Sequence, residues 1–293
     1  MLDEERCRHA IAEALPSLEL HSVRYFNAGW DYELWEINNE LLFRFPLREN
    51  CATRLPIEAR LLAELADRVS FPIPRPLHVS IGVPAHEWPF FAYRRLAGTP
   101  LLETQPGDKE LEGIAIQLGQ FLSELHSFPV ERAEQLGVRV RVGARWRQRY
   151  VNLRTRVAAD VYPLLHSQEA ALMEAYWEEF LARDEYFAFT PALIHGDLSL
   201  EHVLVDTSGS VTVIDFGDAR IGDPALDFAG LDPALRTTVA SHYTRDADDT
   251  MLKRAAIYRE VISPFNYILF GQEQNEQSLI DEGLQKLRRA FEL

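Results

Sequence analysis

The sequence predicts a mixed α+β fold, with a sheet-containing first third followed by a mostly helical remainder. Between about residues 23 and 46, apolar and polar residues alternate around short turns, which is the period of half-buried strands. Over residues 109–127 and 276–291, apolar residues recur every three or four positions, which is the period of amphipathic helices. Short apolar runs at 192–194, 203–205 and 211–214 predict brief buried strands within the helical part.

Composition and charge narrow the class of protein. The chain has 293 residues, of which 47% are hydrophobic and 26% charged, as in a globular protein with a sizeable core. Its net charge of −15 disfavours nucleic acid or an anionic membrane as a partner and is compatible with a cationic substrate. No apolar run approaches the roughly 18 residues that span a bilayer. The two cysteines show neither a disulfide framework nor a zinc spacing, so we expect a cytoplasmic protein. We also expect a monomer.

The basic residues are almost all arginine. Only three of the 30 are lysines, namely Lys109, Lys253 and Lys286. Any cation that the sheet-containing part places on a phosphate must therefore be an arginine.

The first part of the chain contains five predicted elements before a proline-rich segment. They are a helix, three strands and a second helix, at residues 4–15, 23–26, 32–37, 41–46 and 57–65. Gly29 lies in the turn between the first two strands, where it would supply backbone freedom. Arg44 lies in the third strand and Glu58 in the second helix. Alternating prolines at 72, 74 and 76 end that helix, and a strand from about residue 88 leads to a loop near residue 96.

The second part is predicted to be helical around one strand-and-loop region. The apolar period predicts a core helix at 109–127, two helices within 143–185, and last helices near 249–263 and 276–291. Aromatic residues within 143–185 are expected in the core rather than on a binding surface.

Two loops of the strand region carry the side chains that phosphoryl transfer requires. That reaction needs a carboxylate to accept a hydroxyl proton, and oxygen or nitrogen ligands to hold magnesium on the nucleotide phosphates. Asp197, in the first loop, fits the base. His202 lies in the same loop, and Asp215 lies in the second loop, 18 residues beyond Asp197; these two residues fit the pair of metal ligands.

The three motifs of this region resemble the aminoglycoside phosphotransferase and choline kinase-like family. They are His195-Gly196-Asp197, Ile214-Asp215-Phe216-Gly217-Asp218 and Gly222-Asp223-Pro224-x-x-Asp227. The form His-Gly-Asp-Leu-Ser-x-x-His is most similar to the corresponding motif of the 2''-aminoglycoside phosphotransferases. Those enzymes carry histidine at the position of His202, where most kinases carry asparagine. Gly196 and Ser199 stand where protein kinases usually have arginine and lysine, which points away from protein substrates.

This resemblance implies a two-lobed protein-kinase-like α+β fold. Its nucleotide-binding lobe would cover residues 1–95, and a catalytic and substrate-binding lobe residues 96–293. Asp227 would hold the backbone of the catalytic loop, and His195 would brace that loop.

The resemblance also implies a nucleotide site for ATP or GTP with Mg²⁺. The loop at Gly29 would position the nucleotide, although it lacks the other glycines of the kinase pattern. Arg44 takes the place of the phosphate-holding lysine, and Glu58 would pair with it. Backbone groups around Tyr93 and Arg95 would contact the base.

The acceptor implied by the resemblance is the hydroxyl of an aminoglycoside-type antibiotic, with antibiotic resistance as the role. Aminoglycosides are polycations, so carboxylates should line their site, and Asp218, Asp232 and Glu260 are the candidates. The 2'' enzymes usually show a denser acidic stretch soon after the position of Asp227 than residues 230–235 do here. Macrolide, choline-like and sugar-like acceptors therefore stay open.

Two alternatives belong to other classes of protein. A nucleotide-binding pseudo-enzyme is disfavoured because Asp197, His202 and Asp215 are all present. A metal hydrolase could use His195, Asp197 and His202 as three zinc ligands, but it would leave Asp215 without a role.

Overall fold

A five-stranded antiparallel sheet occupies the first third of the chain. The structure is a computed structural model that describes residues 2–80 and 88–292. The strands lie in the order β1-β2-β3-β5-β4, and they are β1 (Val23–Ala28), β2 (Tyr32–Ile37), β3 (Leu41–Pro46), β4 (His78–Ser80) and β5 (Phe90–Arg94). The three predicted strands between 23 and 46 are confirmed.

The two faces of this sheet pack against different helices. Helix α1 (Glu4–Ala14) begins at Asp3, whose carboxylate accepts a hydrogen bond from a first-turn backbone N–H. Phe43 and Phe45 of β3 point into the cluster that α1 covers. Arg44, between them, must point to the opposite face, which helix α2 (Glu49–Leu65) covers. Strand alternation therefore directs Arg44 towards α2.

The remainder of the chain is built from nine further helices among the described residues. They are α3 (Asp108–His126), α4 (Val130–Gln135), α5 (Gly143–Arg156), α6 (Ser167–Ala182), α7 (Ala225–Ala229), α8 (Pro233–Ser241), α9 (Met251–Ile257), α10 (Ser263–Gln274) and α11 (Gln277–Ala290). Apolar residues at 114, 118, 121, 122 and 125 of α3 are buried, as its period predicted. The chain thus has the mixed α+β architecture expected from the sequence, with an antiparallel sheet first and helices after it.

Two small sheets carry the functional loops. One has the strand order β10-β9-β6 and the other β7-β11-β8. These strands are β6 (Thr99–Pro100), β7 (Arg139–Val140), β8 (Ala192–Ile194), β9 (Val203–Val205), β10 (Val211–Val213) and β11 (Arg220–Gly222). The loop from β8 to β9 contains Asp197 and His202, and the loop from β10 to β11 contains Asp215. Because β9 and β10 form an antiparallel hairpin, the two loops leave the same end of that sheet.

Five helices differ from the sequence prediction. Helix α2 begins at Glu49, well before the predicted residue 57, and it includes Pro56, whose missing N–H leaves one helix hydrogen bond unmade. Helices α4, α7, α8 and α10 were not predicted. A π-helical turn (Tyr258–Ile262) joins α9 almost directly to α10, so Pro264 lies in a first turn that tolerates it. Within residues 2–80 and 88–292, no helix combines the length and apolar character that a membrane crossing requires.

Candidate active site

The loop that carries Asp197 is held from beneath by a buried carboxylate. Asp227 accepts hydrogen bonds from the backbone N–H groups of His195 and Gly196, both at 2.8 Å. The His126 ring lies 3.0 Å from the same carboxylate. Burial alone would raise the pKa of Asp227, but the His126 hydrogen bond and charge, with those of the loop, hold it below its ordinary value. Asp227 therefore positions the loop backbone, as predicted.

His195 ties the two functional loops together. Its Nε2 lies 2.9 Å from the carbonyl oxygen of Ile214, and its Nδ1 accepts a longer contact of 3.4 Å from the Asp197 N–H. Burial lowers the pKa of His195, which favours the neutral ring that this arrangement needs. Both ring nitrogens are thus engaged within the protein. Among the described residues, no group of three or more His, Cys, Asp or Glu side chains is placed to hold a metal ion, so the three-ligand hydrolase site is not formed.

His202 lies between the two predicted functional carboxylates. Its Nδ1 lies 2.8 Å from the carbonyl oxygen of Asp197, so this nitrogen carries the proton and donates. In the neutral ring Nε2 is then the nitrogen without a proton, and it faces Oδ2 of Asp215 at 3.9 Å. A neutral imidazole nitrogen beside a carboxylate oxygen is a suitable pair of ligands for a divalent ion. The local hydrogen bond therefore presents His202 in the tautomer that metal binding needs.

Asp215 is fixed by its backbone and by an arginine. Its φ of +65° lies in the left-handed region, which is uncommon for a residue other than glycine and recurs at functional sites. Its Oδ1 accepts a hydrogen bond of 2.6 Å from Arg44 Nη2. Burial acts to raise the pKa of Asp215, but the charge and hydrogen bond of Arg44 outweigh burial and hold the pKa far below its usual range, and the His202 ring lowers the pKa further when it is protonated. Asp215 is therefore ionised and available to a cation.

Arg44 is shared between Asp215 and Glu58. Its side chain is 6% exposed, and Nη1 donates to Glu58 Oε1 at 2.9 Å while the guanidinium carbon lies 3.8 Å from the Tyr32 ring centroid. Burial raises the pKa of Glu58 to about 7 against the opposing effect of Arg44, and repulsion from Asp215 adds to the rise. Within the described chain, Arg44 Nε and Glu58 Oε2 have no hydrogen-bond partner. The pairing expected from the sequence is present, and it leaves hydrogen-bonding capacity on both side chains.

The Asp197 carboxylate itself is open to the cleft. Its side chain is 65% exposed, and its Oδ2 lies 3.9 Å from His202 Nδ1. Desolvation by the surrounding walls raises its pKa to about 6 despite His202, with repulsion from Asp218 and Asp215 adding to the rise. A carboxylate in this state is ionised near neutral pH and more basic than an ordinary aspartate.

The residues predicted to contact the nucleotide are placed as follows. Gly29 has no positive φ, and a Cβ there would meet no atom within 4 Å. The turn therefore does not require glycine, contrary to the expectation that Gly29 supplies backbone freedom. Tyr93 is buried in β5, where burial raises its pKa to about 12. The backbone N–H of Arg95 donates to Glu40, and its side chain donates to Glu36 at 2.7 Å. Nucleotide contacts by these residues stay predictions.

The three carboxylates predicted for a cationic acceptor all have partners within the protein. Asp218 Oδ1 lies 3.3 Å from Arg139. Asp232 caps α8 by accepting hydrogen bonds from two backbone N–H groups. Glu260 accepts one from Arg236 at 3.3 Å. Each would have to share or exchange these bonds in order to bind an ammonium group.

Two features of the site were not found from the sequence. His126 is the last residue of the amphipathic helix α3, and nothing in the local sequence pattern indicates its contact with Asp227. Trp30, 57% exposed in the β1–β2 turn, packs edge-on against Phe270 of α10 with 4.6 Å between ring centroids. The exposed tryptophan was a visible signal, but its partner lies 240 residues away along the chain.

Comparison with known proteins decides the family. The profile described as the phosphotransferase enzyme family matches residues 22–262. This chain belongs to that family. The GDP and kanamycin complex of APH(2")-IIia is similar in structure, with a TM-score of 0.86, 27% identity and coverage of 97% of each chain. The GDP complex of wild-type aminoglycoside 2'-phosphotransferase-IIIa has a TM-score of 0.87 and 28% identity, and covers 99% of this chain and 98% of that one.

Other relatives of this phosphotransferase carry different names. Macrolide 2'-phosphotransferase MphH from Brachybacterium faecium shares the fold, with a TM-score of 0.75 at 23% identity over 96% of this chain and 97% of that one. The uncharacterized protein YcbJ of Bacillus subtilis (strain 168) is 28% identical over 198 residues, which is 64% of this chain. The match spans 60% of the length of that curated relative.

The placement of His202 in this phosphotransferase leads to a prediction about metal preference. Both Mg²⁺ and Mn²⁺ bind oxygen ligands well, but Mn²⁺ is the softer of the two ions and accepts an imidazole nitrogen more readily than Mg²⁺ does. We expect His202→Asn to retain substantial activity with Mg²⁺ and to lose part of any preference for Mn²⁺, while His202→Ala loses more than tenfold with either ion. The measurement is the rate of nucleoside diphosphate release against the concentration of each metal. An inactive Asn variant that still binds nucleotide would contradict a metal-binding role for His202.

Proposed function

We propose that this chain transfers the γ-phosphoryl group of a magnesium nucleoside triphosphate to a hydroxyl of a small molecule. One observation carries the proposal: the His202 ring lies between Asp197 and Asp215, with its Nε2 directed at the Asp215 carboxylate. This gives a basic carboxylate on one side and a candidate pair of metal ligands on the other, which is the division of labour that phosphoryl transfer needs.

The proposed step assigns one role to each side chain. Asp197 orients the acceptor hydroxyl and takes its proton as the oxygen bonds to the γ-phosphorus and the bond to the leaving diphosphate breaks. Asp215 and His202 would hold Mg²⁺, which when bound neutralises charge on the phosphate oxygens. Arg44 contributes a fixed positive charge on the nucleotide side, and Glu58 keeps it in place.

Several findings bear on the donor and the acceptor. Similar structures include complexes with GDP and with ADP, which supports a nucleotide donor and leaves the choice between ATP and GTP open. The complexes with kanamycin and gentamicin are those of aminoglycoside phosphotransferases. The protein already provides partners for the three candidate carboxylates, namely Asp218, Asp232 and Glu260. We therefore do not propose that the acceptor of this chain is a polycation.

A coupled assay of nucleoside diphosphate release tests the proposal. ATP and GTP should each be supplied with Mg²⁺, and the acceptors should include aminoglycosides, macrolides, choline and sugars. We expect release that depends on one class of acceptor and on the metal, at least tenfold above the rate with water alone. Binding of nucleotide without release for any acceptor would contradict the proposal and favour the pseudo-enzyme.

A further inference from the structure

Four arginine side chains gather beside the catalytic loop, and we call them the arginine cluster: Arg139, Arg141, Arg149 and Arg220. Strand β7 runs parallel to β11 with Arg139 opposite Arg220, and the N–H of Arg141 extends the pairing by donating to Ile221. Paired residues on neighbouring strands, and alternate residues along one strand, share a face of the sheet. Arg139, Arg141 and Arg220 therefore project from the same face. A Cβ added at Gly222, two residues beyond Arg220 in β11, would lie 3.2 Å from the Trp146 ring of α5. The Arg149 guanidinium carbon lies 5.4 Å from the centroid of that ring, which brings Arg149 to this face.

The arginine cluster carries more positive charge than its ion pairs balance. Its one ion pair joins Arg139 to Asp218 at 3.3 Å, and Asp218 also lies 3.5 Å from Arg54. In the part of the chain that the structure describes, the other three members make no ion pair. A concentration of unpaired positive charge is unexpected in a chain whose net charge is −15.

Part of the arginine cluster is buried with unused donors. Arg220 is 8% exposed, and its Nη2 donates to the Gly196 carbonyl at 2.7 Å, but its Nε has no hydrogen-bond partner among the described residues. Arg149 Nη1 is likewise buried and unpartnered there. Burial lowers the pKa of Arg220 to about 10, with the charges of Arg149 and Arg139 adding to the effect and Asp218 opposing it. Buried charged donors without partners are costly, and an anion would satisfy them.

The position of the arginine cluster relates it to the reaction. Arg220 bonds the carbonyl of Gly196, which directly precedes Asp197 in the chain. Guanidinium groups donate bidentate hydrogen bonds to the oxygens of a carboxylate or phosphate, and several of them on one surface can bind one such anion. We propose that the arginine cluster binds a carboxylate or phosphate group of the acceptor, which is therefore a hydroxylated anion. This inference rests on the phosphotransferase activity proposed above.

Protection by inorganic phosphate tests the anion site without turnover. The unfolding temperature of the full chain is measured against phosphate concentration at constant ionic strength, with saturating Mg-ADP in every sample to fill the nucleotide site. Phosphate should stabilise the wild type, and Arg141→Gln or Arg149→Gln should weaken its apparent affinity by about 10- to 100-fold. Arg145→Gln, an exposed arginine on the same helix as Arg149, should behave as the wild type. No stabilisation of the wild type, or equal stabilisation of all variants, overturns the anion site.

Matched acceptors test whether the anion belongs to the acceptor. Glucose, glucuronate and glucose 6-phosphate share a ring and differ in charge, and kanamycin supplies a cationic comparison. We expect kcat/KM to be at least about tenfold higher for an anionic member than for the neutral one, and Arg141→Gln to remove that preference while Arg145→Gln keeps it. A preference for the neutral or cationic compound overturns the assignment. Phosphate protection without transfer to any compound contradicts the proposed function and not the anion site.

Discussion

Asp197→Asn is expected to lower kcat by about 10²- to 10⁴-fold and to change nucleotide affinity little. The amide keeps the shape of the side chain but cannot accept the hydroxyl proton. The loop itself is positioned by Asp227 and His195, which the substitution does not touch. The measurements are the rate of nucleoside diphosphate release and the dissociation constant of Mg-ADP.

The matched control is Glu201→Gln, which removes one charge at an exposed position of the same loop. This variant should be close to wild type in both measurements. An Asp197→Asn enzyme within tenfold of wild type would contradict the role of Asp197 as base, and loss of Mg-ADP binding would indicate a structural role instead.

The same carboxylate predicts a pH dependence. The pKa of Asp197 is raised to about 6, and its protonated form cannot accept a proton. We therefore expect kcat/KM, which reports the free enzyme, to rise with pH through about 6 and to level off above it. The acid limb should persist in Glu201→Gln. A profile that is flat between pH 5 and 8 would contradict the assignment.

Arg44→Ala is expected to destabilise the fold by about 3–5 kcal/mol, because it leaves Glu58 buried without its partner. Adding Glu58→Gln should recover part of this loss. The double variant should therefore lose less free energy of unfolding than the two single variants lose in sum. Arg44→Lys should rescue charge but not the two-pronged geometry, and so restore stability and nucleotide affinity in part. Denaturant unfolding and the KM for nucleotide are the measurements.

Arg94→Ala provides the control, since Arg94 lies on the adjacent strand β5 and its ion pair with Glu40 is exposed. Its cost should be about 1 kcal/mol or less. Burial raises the pKa of Glu58 from 4.5 to about 7, so its contribution to the stability of the wild type should decline as pH rises through that interval. Strictly additive losses for Arg44 and Glu58, or no difference from the control, would show that the pair does not act as a unit.

The candidate catalytic loops were predictable because their chemistry is local. Asp197, His202 and Asp215 lie within 19 consecutive residues and between short apolar runs, so spacing alone places them on neighbouring loops. The strands at 192–194, 203–205 and 211–213 were found for the same reason. The strand at 41–46, which carries Arg44, was also predicted from the sequence.

The partners of the charged side chains were not predictable in this way. From the sequence, Asp232 could be either a substrate carboxylate or a helix cap. Its hydrogen bonds to backbone N–H groups in the first turn of α8 show that it is a helix cap. The arginine cluster depends on the parallel pairing of β7 with β11, whose residues are about 80 positions apart. Long-range pairing of two-residue strands leaves no periodic signal in a sequence.

In the proposed nucleotide site, Arg44 in place of a lysine also determines which covalent reagents can react. Reagents that acylate or sulfonylate an amine beside the nucleotide phosphates need a lysine there, and residues 1–108 contain none. A guanidinium that is 6% exposed and stays protonated is a poor nucleophile towards such reagents. Amine-directed nucleotide analogues should therefore leave this site unlabelled, and inhibitors would have to rely on reversible binding.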